Sequence, residues 1–214
     1  MTERGGNRAG TRVMQCIIGV DMNAVVQSPP ARVPIRCERI GTWRERLWLA
    51  NGRELLLRPI VPADADALRR SFARLSPEEI RLRFLHPITE MTAAFARQLC
   101  ELDRASAFAL VVTEPLPAGE ALIGAVARLA LDREQRKAEF ALIVGREIAG
   151  QGVGTLLLKR LIDCARRRRM DEVWGDVREE NSAMLSVCDE LGFSRSHASD
   201  EPGVVHIRKR LRSV

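Results

Sequence analysis

The sequence predicts a mixed α/β fold organised as a single domain, and three observations carry that reading. Strand and helix patterns alternate along the chain as a strand pair, two or three helices, three strands, a helix, a strand, a helix and a strand. From Lys137 to Arg168 an apolar, β-compatible run passes through a glycine-rich turn into an amphipathic helix. The chain has 214 residues, 46% hydrophobic and 29% charged, which is enough for one domain with a core plus an extension.

Residues 1–40 carry Gly5, Gly6, Pro29, Pro30 and Pro34 without a sustained hydrophobic period. They are expected to form a disordered N-terminal extension. Order is expected from Trp43, and residues 43–214 are assigned to the folded domain. Arg46 to Leu49 and Glu54 to Arg58 flank Asn51-Gly52, which predicts a hairpin with a type I′ turn. Pro59 and Pro62 end the second strand. Ala63 to Leu75 has helical spacing, with Ala67, Leu68, Phe72 and Leu75 on one face. Ser76-Pro77-Glu78-Glu79 is a capping box with proline at the first helical position, and it opens a helix through Phe84.

A third helix is expected over Thr92 to Leu102. Strands are expected over Phe108 to Thr113 and Ala121 to Leu131, with Pro115 to Gly119 as the turn between them. Arg133 to Arg136 leads into the central strand, Lys137 to Val144. The helix that follows places Val153, Leu156, Leu157, Leu161 and Ala165 along one stripe. Arg166 to Arg169 closes its last turn, where cations suit the negative end of the helix dipole. Val173 to Val177 is the next strand, Asn181 to Leu191 a short helix stopped by Gly192, and Val204 to Leu211 the final strand.

Between the central strand and its helix lies Gly150-Gln151-Gly152-Val153-Gly154, with no side chain at three of five positions. Such a turn lets backbone N–H groups approach an anion, and the helix N-terminus adds its dipole. The pattern predicts a phosphate cradle. It is not that of a P-loop NTPase, which needs Gly-Lys-Ser/Thr where this chain has Gly154-Thr155-Leu156. It is not the dinucleotide fingerprint either, whose third glycine would fall at Thr155 or Leu157.

Lys and Arg total 34 against 28 Asp and Glu, a net charge of +6 that suits an acidic ligand. Aromatic content is 4% without a single Tyr, which argues against a base-stacking surface and so against nucleic acid. Cys16, Cys37, Cys100, Cys164 and Cys188 are scattered, an odd number without a C-x-x-C pair, as expected for reduced thiols in the cytoplasm. His86, His197 and His206 have no metal-ligand spacing, so no metal is expected. No apolar run has the length of a membrane span, and the N-terminus lacks a signal-peptide pattern.

The cradle resembles motif A of the GNAT acyltransferases, V-x-x-x-x-Q/R-x-x-G-x-G/A. Val144, Gly152 and Gly154 match it, while Ala149 stands where the family has Gln or Arg. Asn181 to Phe193 is similar to the segment that follows motif A in that family. Leu57-Arg58-Pro59-Ile60, Leu75 to Phe84 and Ala138 to Ala141 are similar, more narrowly, to the GNAT domain of bacterial Pat-type protein lysine acetyltransferases. The resemblance covers roughly residues 43 to 193. It implies a mostly antiparallel sheet with helices on both faces and a splayed central strand pair. It also implies acetyl-CoA as donor, with its pantetheine arm along the backbone of Leu142, Ile143 and Val144. Gly150, Gln151, Gly152, Val153, Gly154 and Thr155 would hold the pyrophosphate. Asn181 matches a position beside the cofactor, although it would serve equally as a helix N-cap.

The acceptor implied is an amine, above all a protein lysine side chain; a small amine, a protein N-terminus or a catalytically silent acyl-CoA-binding module are the alternatives. Transfer needs a base, because only the neutral amine attacks a thioester. Glu139 is the candidate: it lies within an apolar strand, where a carboxylate needs a task or a partner, Arg128 or Lys137 being the partners within reach. Many GNAT enzymes place a Tyr seven residues after the Asn to protonate the leaving thiolate. Here Cys188 holds that position, and a buried core role is expected for it.

Overall fold

The computed structural model describes residues 35–83, 90–197 and 202–211. In those residues the chain forms β1 (Arg36–Gly41), β2 (Arg44–Trp48), β3 (Glu54–Pro59), α1 (Ala65–Phe72), α2 (Pro77–Arg83), α3 (Ala93–Cys100), β4 (Ala107–Thr113) and β5 (Ile123–Asp132). There follow β6 (Lys137–Val144), α4 (Val153–Arg167), β7 (Glu172–Arg178), α5 (Ser182–Glu190), β8 (Ser194–His197) and β9 (Val204–Arg210). The strands make one sheet in the order β1-β2-β3-β4-β5-β6-β7-β9-β8. Among the described residues only β6 and β7 pair in parallel. The mixed, mostly antiparallel architecture expected from the sequence is therefore present.

Helices cover both faces because the strands of the centre are apolar on both. Every residue of β4 is buried. On one face Leu157, Leu158 and Leu161 of α4 and Met184 and Cys188 of α5 pack on Leu110, Leu129, Phe140 and Leu142. On the other, Ala67, Leu68 and Phe72 of α1 and Leu99 of α3 pack on Ala109, Val111 and Ile123. Arg58 and Asp64 lock β3 to the start of α1 through two hydrogen bonds, Nη1 to Oδ2 at 2.7 Å and Nη2 to Oδ1 at 2.8 Å. The Asp64 oxygens also accept from the backbone N–H of Val61 and Gly119, at 2.9 and 3.2 Å. Two buried charges are thus fully occupied, as burial requires.

The hairpin between β2 and β3 forms, but not with a type I′ turn. Gly52 N–H donates to Leu49 O at 2.9 Å and Leu49 N–H to Arg53 O at 3.0 Å, and Gly52 alone in the loop has a positive φ, +81°. The turn therefore runs through Ala50-Asn51, with Gly52 supplying the left-handed residue of a three-residue loop. The capping box is formed as expected: Ser76 N–H donates to Glu79 Oε2 at 2.7 Å, and Glu79 N–H to Ser76 Oγ at 3.1 Å. Phe84, the expected end of that helix, lies outside the described residues, as do 1–34. Arg36–Gly41, which begins within the stretch 1–40 expected as an extension, is an edge strand paired with β2. Ser194–His197 is a further strand, held by pairing with β9. Its sequence has no apolar residue and hence no alternation to announce it.

Candidate active site

The site forms where the two central strands part. β6 pairs with β5 along its whole length, from Lys137 opposite Asp132 to Val144 opposite Ala125. Its other edge pairs with β7 for three residues only: Lys137 with Glu172, Ala138 with Val173, and Glu139 with Trp174. Beyond Glu139 the strands diverge, and the edge of β6 that carries Leu142, Ile143 and Val144 has no ladder partner among the described residues. Such an edge leaves backbone donors and acceptors for an extended ligand. Phe140 sits in the fork. A Cβ added at Gly175 would come within 2.9 Å of Phe140 Cε1, so β7 needs glycine where that ring packs.

The glycine loop lies at the far end of this edge. Gly150 and Gly152 have φ of +72° and +85°, the left-handed region that disfavours side chains. Gly152 is the N-cap of α4 and offers no side-chain hydrogen bond to it. The first N–H groups of this 15-residue helix, at Val153 and Gly154, lie ahead of the hydrogen bond from Leu156 N–H to Gly152 O at 3.0 Å, at the positive end of the helix dipole. A Cβ at Gly150 would meet nothing within 4 Å, and one at Gly152 would lie 3.6 Å from Ile35 Cδ1. The cradle is thus open at Gly150 and bordered at Gly152 by the residue that precedes β1.

Side chains around the loop look inward. Val153 is buried in the core, and Ala149 packs against it, so the missing Gln or Arg is replaced by an apolar contact. Thr155 is buried, with its Oγ1 3.4 Å from Glu190 Oε2 on α5. Gln151 is half-buried. Asn181 is 3% exposed and caps a helix, as one of its two expected roles requires. Its Oδ1 accepts from Met184 N–H at 3.1 Å, capping α5, while its Nδ2 is buried without a hydrogen-bond partner. A buried donor left over in this way needs an acceptor from outside the chain. The bare amides of the cradle and the spare Asn181 amide fit a phosphate-bearing thioester with amide carbonyls along its arm.

Glu139 is half-buried at the branch point, opposite Ala130 on one side and Trp174 on the other. By the register of the ladder it shares the α1–α3 face of the sheet with Ile143 and Arg128. Trp174 stacks at 5.3 Å on His206, whose Nδ1 is 2.7 Å from Asp176 Oδ1. Arg128 turns to α3 instead, where Nη1 donates to Leu99 O at 2.9 Å.

The acetyltransferase (GNAT) domain profile matches residues 54–194, which span β3 to the start of β8 and include the fork, the cradle and Asn181. The chain belongs to the GNAT acetyltransferase family. It is 32% identical over 161 residues to an acetyltransferase of Pseudomonas aeruginosa, covering 74% of this chain and 85% of that one. It is 31% identical over 145 residues to the acetyltransferase Pat of Mycolicibacterium smegmatis, covering 66% of this chain and 42% of that longer protein. The crystal structure of the GNAT domain of S. lividans PAT superimposes with a TM-score of 0.70 at 24% identity, over 81% of this chain and 100% of that one. Membership makes the protein an acyl-CoA-dependent N-acetyltransferase in class.

Within this GNAT fold Cys188 is fully buried in the core beneath α4 and α5. Burial pushes its thiol pKa up to about 12, with the neighbouring Asp189 carboxylate adding to the rise. A thiol that weakly acidic is a poor donor to a leaving thiolate, and its position fits the expected core role. The arginines closing α4 are occupied structurally: Arg167 lies 5.2 Å from the Trp43 ring centroid, and Arg168 5.6 Å from that of Phe108. Three features escaped the sequence: Ile35 against Gly152, Phe140 in the fork, and the turn of Arg128 toward α3. Gly175 inside an apolar strand was the one available signal, since an isolated glycine there marks a close approach.

Proposed function

We propose that this chain moves acetyl from acetyl-CoA to a protein lysine side chain by direct attack, with Glu139 as general base. The observation that supports it is the place of Glu139: a half-buried carboxylate at the point where β6 leaves β7 and its free edge begins. There Glu139 takes a proton from the acceptor ammonium, and the freed amine attacks the thioester carbon. The attacking nitrogen gives up its second proton to water, the carbon–sulfur bond breaks, and the thiolate takes a proton from water. Backbone groups of Leu142, Ile143 and Val144 hold the pantetheine arm. The amides from Gly150 through Thr155 hold the pyrophosphate, and Asn181 Nδ2 donates to the arm. Similarity to Pat-type proteins supports lysine as the acceptor, as does the Glu139 face, since a carboxylate there attracts an ammonium.

The test is acetyl-CoA turnover by the purified protein against a cell lysate and lysine-bearing peptides, followed by mapping of the modified residues. Acetyl on lysine Nζ is the expected product. Turnover confined to free small amines or to protein N-termini would contradict the acceptor assignment while leaving the donor site intact.

A further inference from the structure

The α1–α3 face of the sheet holds a cavity of about 510 Å³, well beyond the needs of an acetyl group and within the range that holds a whole small ligand. Its walls are apolar, with Leu68, Phe72, Leu99, Ile123, Val126 and Ile143 among them. At its rim Arg146 donates to Arg74 O at 3.4 Å, Glu79 closes the capping box with Ser76, and the other charges are paired: Arg53 with Glu114 at 3.1 Å, and Arg74 with Glu147. The charge inside is not. Arg128 lines the cavity, donates one hydrogen bond to Leu99 O at 2.9 Å, and keeps a buried Nε without a partner. Burial pulls its pKa down, and no carboxylate among the described residues acts to offset that. A guanidinium in an apolar wall is costly unless an anion completes it, and a carboxylate matches its fork of donors.

We propose that this cavity binds an apolar chain ending in a carboxylate, with the carboxylate on Arg128. The chain enters from the donor groove. Ile143 belongs to both, since its backbone lies on the free edge of β6 and its side chain lines the cavity. Arg128 stands opposite Ala141, two residues back along β6, which is about 7 Å of strand. That separation suits an acyl group of four or five carbons with a terminal acid. The inference rests on the donor groove proposed above. The same chemistry is also present in an amino-acid acceptor, whose carboxylate would enter from the opposite side.

Calorimetric affinities for CoA, butyryl-CoA and succinyl-CoA test it, because the two thioesters have equal carbon number and differ in the acid. The wild type should favour succinyl-CoA by about 10- to 100-fold, the worth of a hydrogen bond to a charged group. Arg128→Met should erase the preference and Arg128→Lys should keep part of it. Should Arg128→Met fail to fold, Val126→Phe fills the cavity with Arg128 in place and should abolish the same preference. Affinity for 4-aminobutanoate in the presence of CoA, lost in Arg128→Met without any thioester preference, would support the site and assign its carboxylate to the acceptor. CoA bound normally, with no thioester preference and no binding of the amino acid, would overturn the pocket and leave the donor groove standing. Failure to bind CoA at all would overturn both.

Discussion

Glu139 and Trp174 are the last partners on the parallel ladder between β6 and β7, and the sheet opens immediately beyond them. This rung fixes three things together. It sets where the free edge of β6 begins, it holds the carboxylate at that point, and it seats an indole beside it. Phe140 keeps the fork apart by packing where Gly175 has no side chain. A carboxylate held by two ladders is fixed in position, as the proposed role of general base requires.

The cradle predicts a separation of binding from folding. Gly152→Val forces a β-branched residue into a φ of +85° and pushes a side chain toward Ile35, at the point where α4 begins. Left-handed backbone costs a non-glycine residue about 1–2 kcal/mol, so the domain should still fold. Calorimetry should show CoA affinity reduced more than tenfold; an unchanged affinity in a folded variant would contradict the cradle.

Substitution separates the cap that Asn181 forms from the donor contact proposed for its amide. Asn181→Ser keeps a cap acceptor for Met184 N–H but removes the unpartnered Nδ2. It should leave the melting temperature nearly unchanged and weaken CoA binding. Asn181→Ala should weaken binding equally and also lower stability by about 0.5–2 kcal/mol through loss of the cap. Equal CoA affinity in wild type and Asn181→Ser would confine the residue to capping.

The buried Arg58–Asp64 pair makes a prediction about acid. Burial by itself would raise the Asp64 pKa, but the Arg58 hydrogen bonds and the Val61 and Gly119 amides outweigh it and hold the carboxyl below its ordinary value of 3.8. A depressed folded pKa contributes stability that is fully present above the unfolded pKa and is lost as pH falls through the folded one. Asp64→Asn should cost about 3–5 kcal/mol at neutral pH by leaving Arg58 uncompensated. In denaturant titrations the gap from wild type should narrow as pH falls below about 4. A pH-independent gap would contradict the assignment.

These features differ in how far the sequence announced them. Lys137 to Arg168 was legible because strand, glycines and helix are local patterns, and Ser76 with Glu79 because a capping box is a four-residue motif. The turn at Ala50-Asn51 was not, because Asn51-Gly52 suits two loop lengths and register decides between them. β8 exists only through its pairing with β9. Arg128 looked like a partner for Glu139 by strand register. Its hydrogen bond to Leu99 depends on where α3 docks, which no local pattern reveals.

Residues 1–34 are proposed to be dispensable for both folding and donor binding. Their removal should leave the melting temperature and acetyl-CoA affinity nearly unaltered. Removal through Gly41 should lower acetyl-CoA affinity, because it takes Ile35 from beside Gly152 and strips β1 from β2. A large loss from the shorter deletion would contradict the proposed boundary.

Glu139→Gln separates a general base from a structural carboxylate. The amide keeps the shape and hydrogen-bonding capacity of the carboxylate but cannot accept a proton at neutral pH. Turnover should fall by about 10²–10⁴-fold, while acetyl-CoA affinity stays near wild type because the cradle lies at the other end of the edge. The deficit should shrink as pH rises and more acceptor amine is neutral unaided. Wild-type turnover with a wild-type pH profile in Glu139→Gln would contradict the account.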